Sequence, residues 1–143
     1  MTQRIALLAV AMLLGISLFG LYLKSVPPTV AAQALAEAVG RFMATRTPGV
    51  DWVPLTDEQP HARSFITRPG TDHLVFVSVY GVREAAGMLG VETAARQALN
   101  VVAGLEAVSV AYYQQPIRER SAAGNIVRPR VAFMKRVLVE RGK

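Results

Sequence analysis

The 143-residue chain contains no cysteine, only two histidines (His61 and His73), three aspartates and three lysines, and aromatic residues make up just 7% of it. Without cysteine there is no disulfide scaffold, no cysteine-ligated zinc and no lipid-modified cysteine behind a signal sequence. The short supply of titratable groups leaves little for acid–base or nucleophilic catalysis, and no G-x-S-x-G elbow accompanies Ser64 or Ser78. What the chain has in excess is aliphatic: hydrophobic residues are 52% of it and its mean hydropathy is +0.30. With 18% charged residues, that composition supports a buried core and excludes a disordered chain. The length fits one domain.

The apolar excess is concentrated at the N-terminus. Nineteen uncharged residues, 5 to 23 (IALLAVAMLLGISLFGLYL), are bracketed by Arg4 and Lys24. A helix of that length spans roughly 28 Å, close to the ~30 Å hydrocarbon core of a bilayer. A single transmembrane helix is therefore expected, with Tyr22 at headgroup level and Lys24 reaching into the interface. The competing reading is a cleaved secretory signal, with small-residue sites ending at Ala32 and Ala34. Lys24 and Pro27-Pro28 separate those sites from the apolar run, which favours a retained anchor. Arginine outnumbers lysine thirteen to three, and with the many alanines this composition is associated with GC-rich bacterial genomes. The short tail before the run gives the expected topology: a single pass through a bacterial cytoplasmic (inner) membrane, N-terminus inside and the C-terminal domain periplasmic. Ala11 and Gly15, four residues apart, are the candidate helix-packing pair within the membrane.

Residues 1–24 are thus read as a signal anchor, 25–46 as a juxtamembrane amphipathic helix, and 47–143 as a small α+β domain. Pro27-Pro28 ends the first helix, Thr29 can cap the next, and Leu35, Val39 and Met43 recur at helical spacing. Residues 47–62 hold three prolines and read as a loop or short edge segment, with Trp52 as an anchor on the core. A hairpin is expected from Arg63 to Tyr80, turning at Arg68-Pro69-Gly70-Thr71, with LVFVSVY as its central strand. Residues 83–90 read as a connection with room for a helical turn, 91–103 as a helix and 107–113 as a strand, which together make a βαβ unit. Residues 131–139 alternate as a strand would but also carry a helical stripe at Val131, Met134 and Leu138. Three valines favour the strand, in a hairpin with 107–118. The expected order is α-β-β-α-β-β: one sheet with helices packed on a face.

The order helix, two strands, helix, strand over residues 30–114, with Gly81 closing the second strand and Gly104-Leu105 ahead of the third, resembles the BON module of envelope lipid-associated proteins. The long 47–62 stretch departs from that pattern. The resemblance implies a lipid-facing role.

Charge is distributed unevenly. Residues 25–115 carry six basic and eight acidic groups, whereas residues 116–143 carry eight basic and two acidic ones. The net +6 therefore resides in the last 28 residues. Arg118, Arg120, Arg128 and Arg130 flank the expected hairpin tip, with Lys135, Arg136, Arg141 and Lys143 beyond. These are the candidate partner- or lipid-binding residues, the first six above all. Nucleic acid fits less well, because Tyr112 and Tyr113 offer the only evident stacking platform. A turn closed by Arg68 and Thr71 places His61 and His73 on the order of 16 Å apart, too far to share a metal. Gly81, Gly87 and Gly90 match no phosphate-loop spacing and read as turn glycines. No cofactor is expected. The expectation is a non-enzymatic accessory or assembly subunit of a larger membrane protein complex in the cell envelope, with an anionic-lipid or envelope-surface binding module as the alternative.

Overall fold

The computed structural model describes residues 9–12, 27–56, 60–114 and 132–142. Helix α1 (Val30–Ala44) starts at the cap the sequence offers: Thr29 is extended and its Oγ1 accepts from the Ala32 N–H at 3.0 Å. A two-residue strand β1 (Asp51–Trp52) follows, then β2 (Ser64–Pro69), β3 (Leu74–Tyr80), helix α2 (Ala85–Val101), β4 (Ala107–Tyr113) and β5 (Phe133–Glu140). The fold is α+β, with a five-stranded mixed sheet in the order β1-β2-β3-β4-β5. Both helices pack on one face of it. Leu35, Val39 and Met43 of α1 and Val91, Ala95 and Leu99 of α2 share a single core with Phe65, Val75, Val77, Val79, Val110 and Tyr112 of the sheet. The alanines of α2 let the helix approach the strands closely, so the aliphatic excess of the sequence becomes a dense layer.

Strands β3 and β4 are parallel, from Leu74↔Ala107 to Tyr80↔Tyr113, with α2 as the crossover that the βαβ reading requires. β5 is antiparallel to β4. Its valines turn Val137 and Val139 toward the core while Leu138 is exposed, the two-residue period of a strand.

Two expectations are corrected. The hairpin pairs Ser64↔Tyr80 through Pro69↔Val75, five positions away from the expected register. Pro69 belongs to β2, and the reversal is made by residues 70–74, where Thr71 Oγ1 accepts from the N–H of His73 (3.2 Å) and Leu74 (3.1 Å). An odd register shift exchanges the faces of one strand. The observed register sets Phe65 opposite Val79 and Thr67 opposite Val77, on the face the helices cover, whereas the expected one would have opposed Ser64 to Val75. The second concerns only the start of α2: the helical turn allowed within 83–90 is continuous with the helix expected from Val91, so α2 begins at Ala85, and Met88 extends the stripe of Val91, Ala95 and Ala98 by a further turn. Gly87 and Gly90 are consequently helical. Gly81 alone of the three is a turn glycine, with φ +78° and a hypothetical Cβ only 1.7 Å from the Ala62 carbonyl oxygen.

The two ends of the sheet are tied differently. At one end Thr29 Oγ1 donates to Asp72 Oδ1 (2.7 Å), fixing the start of α1 to the β2–β3 loop, and the Glu106 N–H donates to the His73 carbonyl (2.9 Å). At the other end the Gly81 N–H donates to the Tyr113 carbonyl (3.2 Å) and the Gln114 N–H to the Ala132 carbonyl (2.9 Å). Among the described residues no helix is long and apolar enough to cross a membrane. Residues 9–12 are helical with Ala11 exposed, while the rest of the 5–23 run, including Gly15, lies outside the described residues.

Candidate docking face

The sheet face away from the helices is uncovered among the described residues, and it collects side chains that the sequence scatters over sixty positions. In-register parallel pairing of β3 with β4 puts Tyr80 beside Tyr113, their rings stacked with centroids 5.3 Å apart and planes at 18°. Phe133 continues the row from β5, edge-on to Tyr113 at 5.7 Å. It reaches this face because of a bulge. Tyr112 pairs with Lys135 and Tyr113 with Phe133, leaving Met134 as the extra residue. Without the bulge, Phe133 and Lys135, two apart, would share the opposite face. Tyr80 also closes a small cluster with Val53 and Ile66. Burial raises the Tyr80 hydroxyl above its ordinary pKa, and the nearby Arg68 guanidinium partly opposes that rise.

Beside the aromatic row runs a shallow groove of about 240 Å³ lined by Arg68, Phe76, Ser78, Ser109, Tyr113 and Arg136. It brings two guanidinium groups from β2 and β5 to the same surface, and neither makes an ion pair among the described residues. The pairs that do form, Arg41–Glu37 and Arg63–Glu84, lie elsewhere. Phe133, Leu138 and Phe76 are 57%, 55% and 36% exposed, so the face presents apolar surface next to positive charge.

Of the leading candidate basic residues, the structure describes Lys135 and Arg136, which lie on opposite faces of the sheet. Lys135 lies on the helix side with its Nζ 5.4 Å from the Tyr112 ring centroid, whereas Arg136 lies on the open side. Arg118, Arg120, Arg128 and Arg130 lie outside the described residues. Arg141 has an internal role: its Nη2 donates to the carbonyls of Leu99 (2.5 Å) and Leu105 (2.9 Å), satisfying a carbonyl in the last turn of α2. His61 and His73 sit at opposite ends of the hairpin, both exposed, and His73 Nδ1 lies 3.1 Å from the Gly104 carbonyl oxygen. Among the described residues no group of three or more His, Asp or Glu side chains could hold a metal ion.

A larger groove of about 430 Å³ lies between α1 and β1, lined by Pro28, Gln33, Glu37, Trp52, Leu55 and Thr67. The Trp52 Nε1–H donates to Thr67 Oγ1 at 3.3 Å and fills its floor, the anchoring role expected of that residue. Sequence reasoning missed the aromatic row and the convergence of Arg68 and Arg136 on one groove. The alternation in LVFVSVY and AVSVAYY carries part of the signal, since equal strand lengths in a parallel pair align Tyr80 with Tyr113. No family model, curated protein or solved structure matches this chain.

Proposed function

We propose that the chain is a membrane-anchored, non-enzymatic accessory or assembly subunit of a larger membrane protein complex in the cell envelope, held by the apolar run of residues 5–23. The observation that carries this reading is the uncovered sheet face, where the Tyr80–Tyr113–Phe133 row adjoins Arg68 and Arg136. Exposed apolar side chains beside charge, here Phe133, Leu138 and Phe76 at the margin of that row, are the character of a protein interface. Its partner is a membrane-associated protein with an apolar surface rimmed by carboxylates.

The test is co-purification of the full chain after extraction in mild detergent. A stoichiometric partner is expected with the native sequence, and it is lost with the pair Phe133→Ser and Phe76→Ser, which removes exposed rings without opening the core. Retention of the partner by that variant refutes the assignment of the face. The second reading, an anionic-lipid or envelope-surface binding module, draws support from the same two arginines converging on one groove. It expects no stoichiometric protein partner, and binding to anionic liposomes that falls with Arg68→Gln and Arg136→Gln.

A further inference from the structure

β5 ends the sheet, and among the described residues no strand covers its outer edge. The direction of its backbone groups follows from the inner edge. The Arg141 N–H donates to the Glu106 carbonyl at 3.0 Å, and the same register continues from Ala107↔Glu140 to Tyr112↔Lys135. Residues of an antiparallel ladder alternate between those that exchange both bonds with their partner and those whose N–H and C=O point away. Counting back from Arg141, Val139, Val137 and Lys135 face β4. Arg136, Leu138 and Glu140 therefore turn both backbone groups outward. Sheet edges are commonly blunted by brevity, charge, proline or a bulge, and of these β5 carries charge, at Lys135, Arg136 and Glu140. β5 has eight residues and no proline, and its bulge at Met134 lies upstream of these three positions.

We propose that β5 pairs antiparallel with β5 of a second copy of this chain, about a two-fold axis at Leu138, to form a continuous ten-stranded sheet. This inference uses the edge of the sheet and shares the side chains of Arg136 and Leu138 with the face described above. The register follows from charge. A two-fold axis normal to the sheet keeps every residue on its own face, and outward-facing groups must meet outward-facing groups, so only even-numbered positions pair through hydrogen bonds. An axis at Arg136 would oppose two guanidinium groups. One at Val137 sets Arg136 against Leu138, and one at Val139 sets Leu138 against Glu140, each opposing a charge to an apolar side chain. An axis at Leu138 sets Arg136 against the second copy's Glu140 twice, Leu138 against Leu138, and Val137 against Val139 on the helix side. Three hydrogen-bonded pairs result, each exchanging two bonds. Lys135 meets the second copy's Arg141, whose guanidinium is already turned inward onto Leu99 and Leu105.

The absence of cysteine makes the register directly testable in the full chain, in native membranes or mild detergent. Opposed Cα atoms at a hydrogen-bonded pair are about 5.5 Å apart, within disulfide range. Under a mild oxidant such as copper phenanthroline, Leu138→Cys is expected to give a covalent dimer. Arg136→Cys alone is not, because its two copies lie about 14 Å apart along the strands. Co-expression of differently tagged Arg136→Cys and Glu140→Cys chains is expected to give the mixed dimer. Arg136→Glu or Glu140→Arg in the Leu138→Cys background should each reduce cross-linking several-fold, and the two together should restore it. No cross-link at Leu138, or equal cross-linking at Arg136, overturns the proposal. So does a dimer unaffected by any β5 variant, as association through Ala11 and Gly15 alone would produce.

Discussion

Gly40 offers the most direct test of how α1 is seated. It lies in the middle of the helix, where replacing glycine by alanine ordinarily stabilises by about 1 kcal/mol. Here the new Cβ would lie 2.4 Å from Trp52 Nε1, 2.5 Å from Trp52 Cε2 and 2.7 Å from Thr67 Oγ1. Ordinary carbon contacts need about 3.5 to 4 Å, so the indole must move by roughly 1 Å. Thr67 is buried beneath it and has nowhere to retreat. The displacement breaks the Trp52–Thr67 hydrogen bond, worth about 1 kcal/mol, and adds an overpacking cost of about 1 to 3 kcal/mol. Set against the propensity gain, the net expectation for Gly40→Ala is a loss of about 1 to 3 kcal/mol. Trp52 is the only tryptophan, so its fluorescence reports the same event: emission should shift to longer wavelength in the folded state, and the denaturant midpoint should fall. In a Trp52→Ala background the cost should shrink, leaving only the contact with Thr67 Oγ1 at 2.7 Å. A Gly40→Ala chain that is more stable than the native one, with unchanged emission, would refute this seating of α1 against β1 and β2.

Further expectations can be checked by unfolding of the full chain. Gly81→Ala should cost well over 2 kcal/mol, because a left-handed φ is compounded by a Cβ 1.7 Å from the Ala62 oxygen. Gly104→Ala, with φ +81° but open space around it, should cost about 1 to 2 kcal/mol, and equal losses at the two sites would contradict the close approach at Gly81. Arg141→Met should lose about 1.5 to 3 kcal/mol through the carbonyls of Leu99 and Leu105, with hydrogen exchange rising first in the last turn of α2. The buried Tyr112 hydroxyl donates to the Met88 carbonyl at 2.9 Å, and burial, reinforced by the Glu92 carboxylate, holds its pKa well above the ordinary value of about 10. A raised folded-state pKa means that its contribution is complete below pH 10 and is lost as pH climbs beyond that. Alkaline unfolding should therefore be less steep in Tyr112→Phe than in the native chain, and identical slopes would show that Tyr112 is not the linked group.

The elements were readable where local chemistry and burial agree. Thr29 caps a helix whose apolar stripe needs one, and three β-branched or aromatic runs became β3, β4 and β5. The hairpin register was not, because Pro69-Gly70 has the form of a tight turn while Thr71 Oγ1 instead organises a longer loop. Parity held the correction: Phe65 must share a face with Val77 and Val79, which the tight turn denies. The candidate site was hidden for a related reason. Phe133 joins Tyr80 and Tyr113 only through a bulge at Met134, and nothing in FMKRVLVE marks where the extra residue falls. Arg141 belonged by composition to the basic arm, but only the packing of α2 against the end of β5 reveals its carbonyl partners.

The opposed ends of the sheet bear on how anchor and arginines are arranged together. The chain enters the domain at Thr29, beside the β2–β3 loop, but leaves β4 at Gln114 and returns at Ala132 at the far end, one strand length or roughly 20 Å away. Within one copy, the apolar run of residues 5–23 and the basic segment that holds Arg118 to Arg130 thus join the domain at opposite ends of the sheet. Antiparallel joining of two copies, as proposed above, reverses one sheet against the other, so each copy's basic segment joins at the end where the second copy's apolar run enters. Any contact between those arginines and the bilayer then becomes a service performed in trans, and should weaken when the copies are separated even with every arginine intact.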